Sequence, residues 1–208
     1  MFLLASAFVL GFLHGLGADH LMAIAALAMD GGDDSAAAAR RARSLGVAIR
    51  FAAGHAALLT LGAGLIVVIG WTVPISVERG GEMLGGALLI VMGGVTLQHL
   101  RRQPSAPRDA TAPHSHLPTM IGAAFAVSSL RALAMLTPFG AELGAEPATV
   151  LLALIAVFAV GILASMSLFG VVLAGVLSTR TLARVGRGAG ALVGVSSILL
   201  GTAWILNP

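Results

Sequence analysis

Long apolar runs separated by short polar stretches make up most of the chain. Six of them are candidates to cross a bilayer, which takes about 20 apolar residues in a helix. They lie near residues 2–29, 45–70, 82–98, 119–141, 148–177 and 188–206. The third run is short and the first and fifth are long, so the pattern predicts tilt or a break in those. No run alternates with a period of two, which argues against a β-barrel. The fold class expected is all-α: a polytopic membrane protein with six transmembrane helices.

The joining stretches set its orientation. Arg40, Arg41 and Arg43 fall in the first, Arg101, Arg102 and Arg108 in the third, and Arg180, Arg184 and Arg187 in the fifth. Arg79 stands alone in the even-numbered loops. Basic residues collect in short cytoplasmic loops, so the odd loops are expected inside and both termini outside. Residues 99–118, rich in Pro and polar side chains, read as a flexible cytoplasmic linker.

The parts on either side of that linker resemble each other. Phe51-Ala-Ala-Gly54 recurs as Phe158-Ala-Val-Gly161, and Gly86 with Ile90-Val-Met-Gly93 matches Gly194 with Ile198-Leu-Leu-Gly201. Phe8, Leu13, His14 and Leu16 align more weakly with Phe125, Leu130, Arg131 and Leu133. Three crossings reverse the direction of a chain. Residues 1–98 and 119–208 are therefore expected to be inverted three-helix repeats, an arrangement common in secondary transporters.

Composition sharpens the class. The chain is 58% hydrophobic and 10% charged, against about 25% charged in soluble domains, and its mean hydropathy is +0.98. The net charge of +3 comes with arginines confined largely to loops, which fits membrane topology and not nucleic-acid binding. There is no Cys, which excludes disulfides and thiolate metal sites. Ala5-Ser6-Ala7 has no basic region before it and too few preceding residues for a signal peptide, so Met1 onward is read as the first helix.

The candidate chemistry sits at mid-bilayer. His14, Asp19 and His20 lie in the first apolar run and His55 at matching depth in the second. Ionisable groups there are costly and point to function. On a regular helix the five-residue spacing would splay His14 and Asp19 by more than 100°. Gly15 and Gly17 supply a place to unwind the helix, and a break between Gly15 and Gly17 would let all three side chains share a site. Imidazole and carboxylate without thiolate suit a divalent ion such as nickel, cobalt or zinc, and suit Cu(I) poorly. Protons compete for the same atoms.

His14-x4-Asp19-His20 resembles the signature of the nickel/cobalt transporter family, including its urease-accessory permease branch within the lysine-exporter-like superfamily. Phe51-x-x-Gly54-His55 resembles that family's second motif, and Glu82-x-x-Gly85 and Gly161-x3-Ser165-Met166 are similar to the permease branch. The resemblance implies a permease of the cell's cytoplasmic (inner) membrane that moves Ni2+ or Co2+ by alternating access. His14, Asp19, His20 and His55 would be its metal ligands. Ser165, Met166, Ser167 and Arg131 would line or gate the path. No prosthetic group and no enzymatic activity are expected. The expected partners are the metal ion, the lipid bilayer and, as an open case, a second copy of the chain.

The chain departs from that family at Ser128-Ser129-Leu130-Arg131, where members usually have another His or acidic residue. Three roles for Arg131 follow: pairing with Asp19 in the empty site, neutralising Asp19 permanently, or binding an anionic substrate. The last makes the chain an exporter of a small anionic or amino-acid-like solute. An intramembrane metalloenzyme lacks a paired general base of the HExxH type, and a metal-binding accessory subunit would bind without transport. In the linker, His114 and His116 are read as a solvated stretch, with metal capture as the alternative. Trp71 and Trp204 read as outer interface anchors, and Pro138 as a kink or end of the fourth helix.

Overall fold

The computed structural model describes residues 2–29, 37–69, 73–101, 116–129, 147–177 and 180–207. The described residues form seven helices: α1 (Phe2–Gly15), α2 (Ala18–Met29), α3 (Ala37–Ile69), α4 (Ile75–Arg101), α5 (Leu117–Ser128), α6 (Pro147–Leu177) and α7 (Arg180–Leu206). No strand occurs among them. Long apolar stretches of α3, α4, α6 and α7 suffice to cross a membrane, and α1 with α2 pass the same test as one span bent by 52°. This is the make-up of an integral membrane protein.

Three helices extend beyond the apolar runs that predict them. α3 starts at Ala37 and not near 45, α4 covers Ile75–Arg101 and not 82–98, and α7 starts at Arg180 and not near 188. Hydropathy marks the apolar slab, whereas Ala and Arg are strong helix formers in any solvent. The Ala37–Arg43 segment accordingly continues the helix out of the slab. Of the two long runs, the first is broken and the fifth is not. α6 is one helix of 31 residues, about 46 Å long at 1.5 Å per residue.

α5 begins with Pro118 in its first turn, where the missing N–H costs nothing. At its other end, the Ser128 hydroxyl donates to the Phe125 carbonyl at 2.7 Å and Ser129 donates to the same carbonyl at 3.2 Å. The Ser129 N–H also donates to the Ala126 carbonyl at 3.2 Å, a bond that tightens the last turn. The rest of the expected fourth span, including Arg131 and Pro138, lies outside the described residues, as do Trp71 and His114.

Glycines bring the helices together. Gly86 of α4 lies against the carbonyl of Gly201 in α7, and Gly93 against that of Gly194, so the two helices run antiparallel with backbones in contact. Gly11 of α1 faces the Phe158 carbonyl, three residues before Gly161 of α6, while Gly161 faces the Phe8 carbonyl, three before Gly11. The same reciprocal arrangement joins α3 to α5: Gly54 faces Thr119, and Gly122 faces Phe51. Such close approach is the usual basis of helix association in lipid, where apolar burial gives no driving force. Trp204 packs over Gly85 and Gly86. Fully buried Phe51, Phe125, Phe158, Ile24, Ile162 and Met166 fill the centre.

Candidate metal centre

The centre is built on the break in the first span. α1 closes with bonds from Leu16 N to the Leu13 carbonyl (3.2 Å) and from Gly17 N to the His14 carbonyl (2.9 Å). α2 then begins from the Gly17 carbonyl, which accepts from Leu21 N at 3.1 Å. At both glycines the absent side chain leaves room for a polar group. A Cβ on Gly15 would overlap Ser165 Oγ of α6, and one on Gly17 would come within 2.6 Å of Asp19 Oδ1 and 2.9 Å of His20 Nδ1. The carboxylate and imidazole therefore fold back over a backbone bare of side chain.

With the helix broken, His14, His20 and His55 converge. One ring nitrogen from each lies within 4.8 Å of the others. The ring centres are 4.9 Å apart for His14 and His20, 4.7 Å for His20 and His55, and 5.8 Å for His14 and His55. His20 and His55 are buried and His14 is half-buried. Asp19, also buried, stands beside this triple and pairs through Oδ1 with His20 Nδ1 at 3.0 Å. An ionised carboxylate can only accept. The pairing thus keeps the His20 proton on Nδ1 and leaves the Nε2 lone pair available, with Ser129 Oγ 3.5 Å away.

His14 Nε2 and Asp19 Oδ2 are buried without a hydrogen-bond partner among the described residues, and the His55 nitrogens find no well-formed bond beyond an approach to the Gly122 backbone. Each such group costs about 1–3 kcal/mol when left unmade. Imidazoles with free lone pairs fit a borderline-soft divalent ion, and metal–nitrogen bonds of about 2.0–2.1 Å would draw the three rings inward. A carboxylate behind a ligating histidine is the usual device for fixing its tautomer and raising its basicity. Asp19→Asn is accordingly expected to weaken metal affinity by about 10–100-fold and to leave a three-nitrogen coordination shell. Isothermal titration with nickel, paired with X-ray absorption, checks both. Loss of an oxygen scatterer from the metal's shell would instead make Asp19 a ligand.

The other expected path residues are dispersed. Ser165 is fully buried over the break, its hydroxyl donating to the Ile162 carbonyl at 3.0 Å. Met166 is buried in the apolar core, and Ser167 is half-buried. His116 is exposed at the start of α5. Arg131 lies outside the described residues.

Three phenylalanines that are not among the expected site residues also line the centre. Phe158 is stacked on His14, Phe51 on His55, and Phe125 lies near His20. Phe51 is legible in retrospect, being four residues before His55 on one helical face. Phe158 and Phe125 come from the other half of the chain and carry no local signal. Compared with known proteins, the chain matches no family model, no curated protein and no solved structure.

Proposed function

We propose that the chain is a membrane permease for a divalent transition-metal cation, nickel or cobalt, whose cargo site is the His14, His20 and His55 cluster. One observation carries this reading: three imidazoles meet at a helix break, and His14 Nε2 there is buried without a hydrogen-bond partner among the described residues. The resemblance of His14-x4-Asp19-His20 and Gly54-His55 to the nickel/cobalt transporter family supports it. In the loaded site neutral imidazoles hold the ion while Asp19 orients His20 and offsets part of the charge. Protons compete for the same nitrogens, so acidification favours release.

Alternating access belongs to the same reading. The reciprocal glycine contacts, α1 with α6 and α3 with α5, relate the two halves by an exchange, and the Gly86–Gly201 and Gly93–Gly194 contacts map onto each other in the same way. They support six spans in two inverted three-helix repeats, residues 1–98 and 119–208 joined by the linker 99–118. They also shift one register. Gly11 plays the part of Gly122, six residues out of step with the alignment of Phe8 with Phe125. Arginine-bearing ends of α3, α4 and α7 support cytoplasmic odd loops, outside termini and a place in the inner membrane.

Radiometal flux into proteoliposomes tests the proposal. Wild-type protein is expected to carry nickel or cobalt saturably and more slowly as pH is lowered, and His14→Ala is expected to abolish flux. No flux with either metal overturns the reading. Solute export that survives His20→Ala but is lost in Arg131→Ala selects the anionic-solute exporter instead.

A further inference from the structure

Phe51, Phe125 and Phe158 are fully buried, and each lies against one histidine of the cluster. Ring centres are 5.7 Å apart for Phe158 and His14, 6.3 Å for Phe51 and His55, and 6.2 Å for Phe125 and His20. Two of the three hold the same place in their helices. Phe51 stands three residues before Gly54 and Phe158 three before Gly161, the glycines at which α3 meets α5 and α6 meets α1.

They lie on different sides of the histidines. Phe158 precedes Ser165, the residue over the break, by two turns toward the start of α6. Gly11 faces Phe158 and Gly15 faces Ile162, so α1 and α6 run parallel and enter from one side of the protein. Phe51 precedes His55 by one turn toward the start of α3, the end that carries Arg41 and Arg43. Phe125 touches Phe51, ring centres 5.6 Å apart, and backs it.

Taking the cluster as the cargo site, we propose that Phe158 and Phe51 are its two opposed gates, Phe158 closing the side away from the arginines and Phe51 closing the arginine side. A buried phenyl ring offers a hydrated dication no replacement for its water and so bars it. Each ring is also stacked on an imidazole, and a metal that drew the three imidazoles together would shift that stack. Cargo binding thereby disturbs the stack that holds the gate, which couples loading to opening.

The natural absence of cysteine provides the test. His20→Cys places one thiol in the cluster and leaves both stacks intact, and its modification by a membrane-impermeant methanethiosulfonate is timed from outside intact cells and from the cytoplasmic face of inside-out vesicles. Adding Phe158→Ala is expected to speed labelling from outside by about tenfold or more, through a larger open population, and to leave the cytoplasmic rate unchanged. Adding Phe51→Ala is expected to do the reverse. Phe158→Leu and Phe51→Leu keep most of the apolar volume and are expected to give the same order of sides with smaller increases. Variants that elute like the parent yet label at unchanged rates, or that open the same side, overturn the proposal. Labelling is read without metal. Absent flux therefore overturns the cargo reading alone, and unchanged labelling of a metal-transporting protein overturns the gates alone.

Discussion

Replacing His55 by Leu is expected to stabilise the metal-free protein and to abolish the stabilisation that nickel or cobalt gives the wild type. His55 is fully buried, and its ring nitrogens find no well-formed hydrogen bond among the described residues beyond an approach to the Gly122 backbone. Leucine occupies a similar volume without the polar atoms, which removes a penalty of about 1–3 kcal/mol. The two isosteric effects that remain, lost stacking on Phe51 and imperfect packing, cost about 1.5 kcal/mol or less. In the wild type a metal at 100 times its dissociation constant adds about 2.7 kcal/mol. A cluster reduced to two imidazoles loses that increment. Thermal unfolding followed by tryptophan emission, with and without metal, checks both halves. A metal-dependent rise in Tm that persists in His55→Leu would sink the assignment of His55 as a ligand.

Gly122→Ala is expected to be strongly damaging, as is Gly54→Ala across the same helix pair, and Gly94→Ala to be one of the most benign changes. At Gly122 the new Cβ overlaps the backbone carbonyl of Phe51, which no side-chain rotation can relieve. Overpacking against movable side chains costs about 1–3 kcal/mol, and a backbone obstacle raises that cost. Because α3 carries His55 and α5 carries Phe125, prising the pair apart also loosens the histidine cluster, and metal affinity should fall with stability. At Gly94 of α4 a Cβ meets nothing within 4 Å, so the better helix propensity of Ala adds up to about 1 kcal/mol. Thermal melts of the Gly122 and Gly94 variants decide the matter. Equal stability would show that α3 and α5 do not pack through Gly122.

The break in the first span was legible because three polar side chains at non-helical spacing bracket two glycines, and spacing is a local property. The apolar slab was legible for the same reason. What could not be read was helix length outside the slab, since the arginine-bearing start of α3 and the Glu78–Arg79 start of α4 look polar to a hydropathy pattern but helical to a backbone. The division of labour within the site was equally hidden. Asp19 carries the same formal promise as a ligand as its neighbour His20, and the 3.0 Å bond between the two exists only in three dimensions. Two of the phenyl rings against the histidines, Phe125 and Phe158, depend on α5 and α6 packing across the halves of the chain, which adjacency in sequence does not encode. Arg131, the one cation expected at the site, lies outside the described residues.

The turn at Leu16–Gly17 has an electrical consequence. An unbroken transmembrane helix keeps its two dipole ends at the membrane surfaces, where water screens them. Breaking it moves two further ends to the middle of the protein: the carbonyl end of α1, equivalent to roughly half a negative charge, and the amide end of α2, roughly half a positive one. His14 sits in the last turn of α1 and Asp19 in the first turn of α2. A cation held by His14 faces the negative end of one half-helix while the Asp19 carboxylate faces the positive end of the other. The backbone thus presents a prearranged field to both charges.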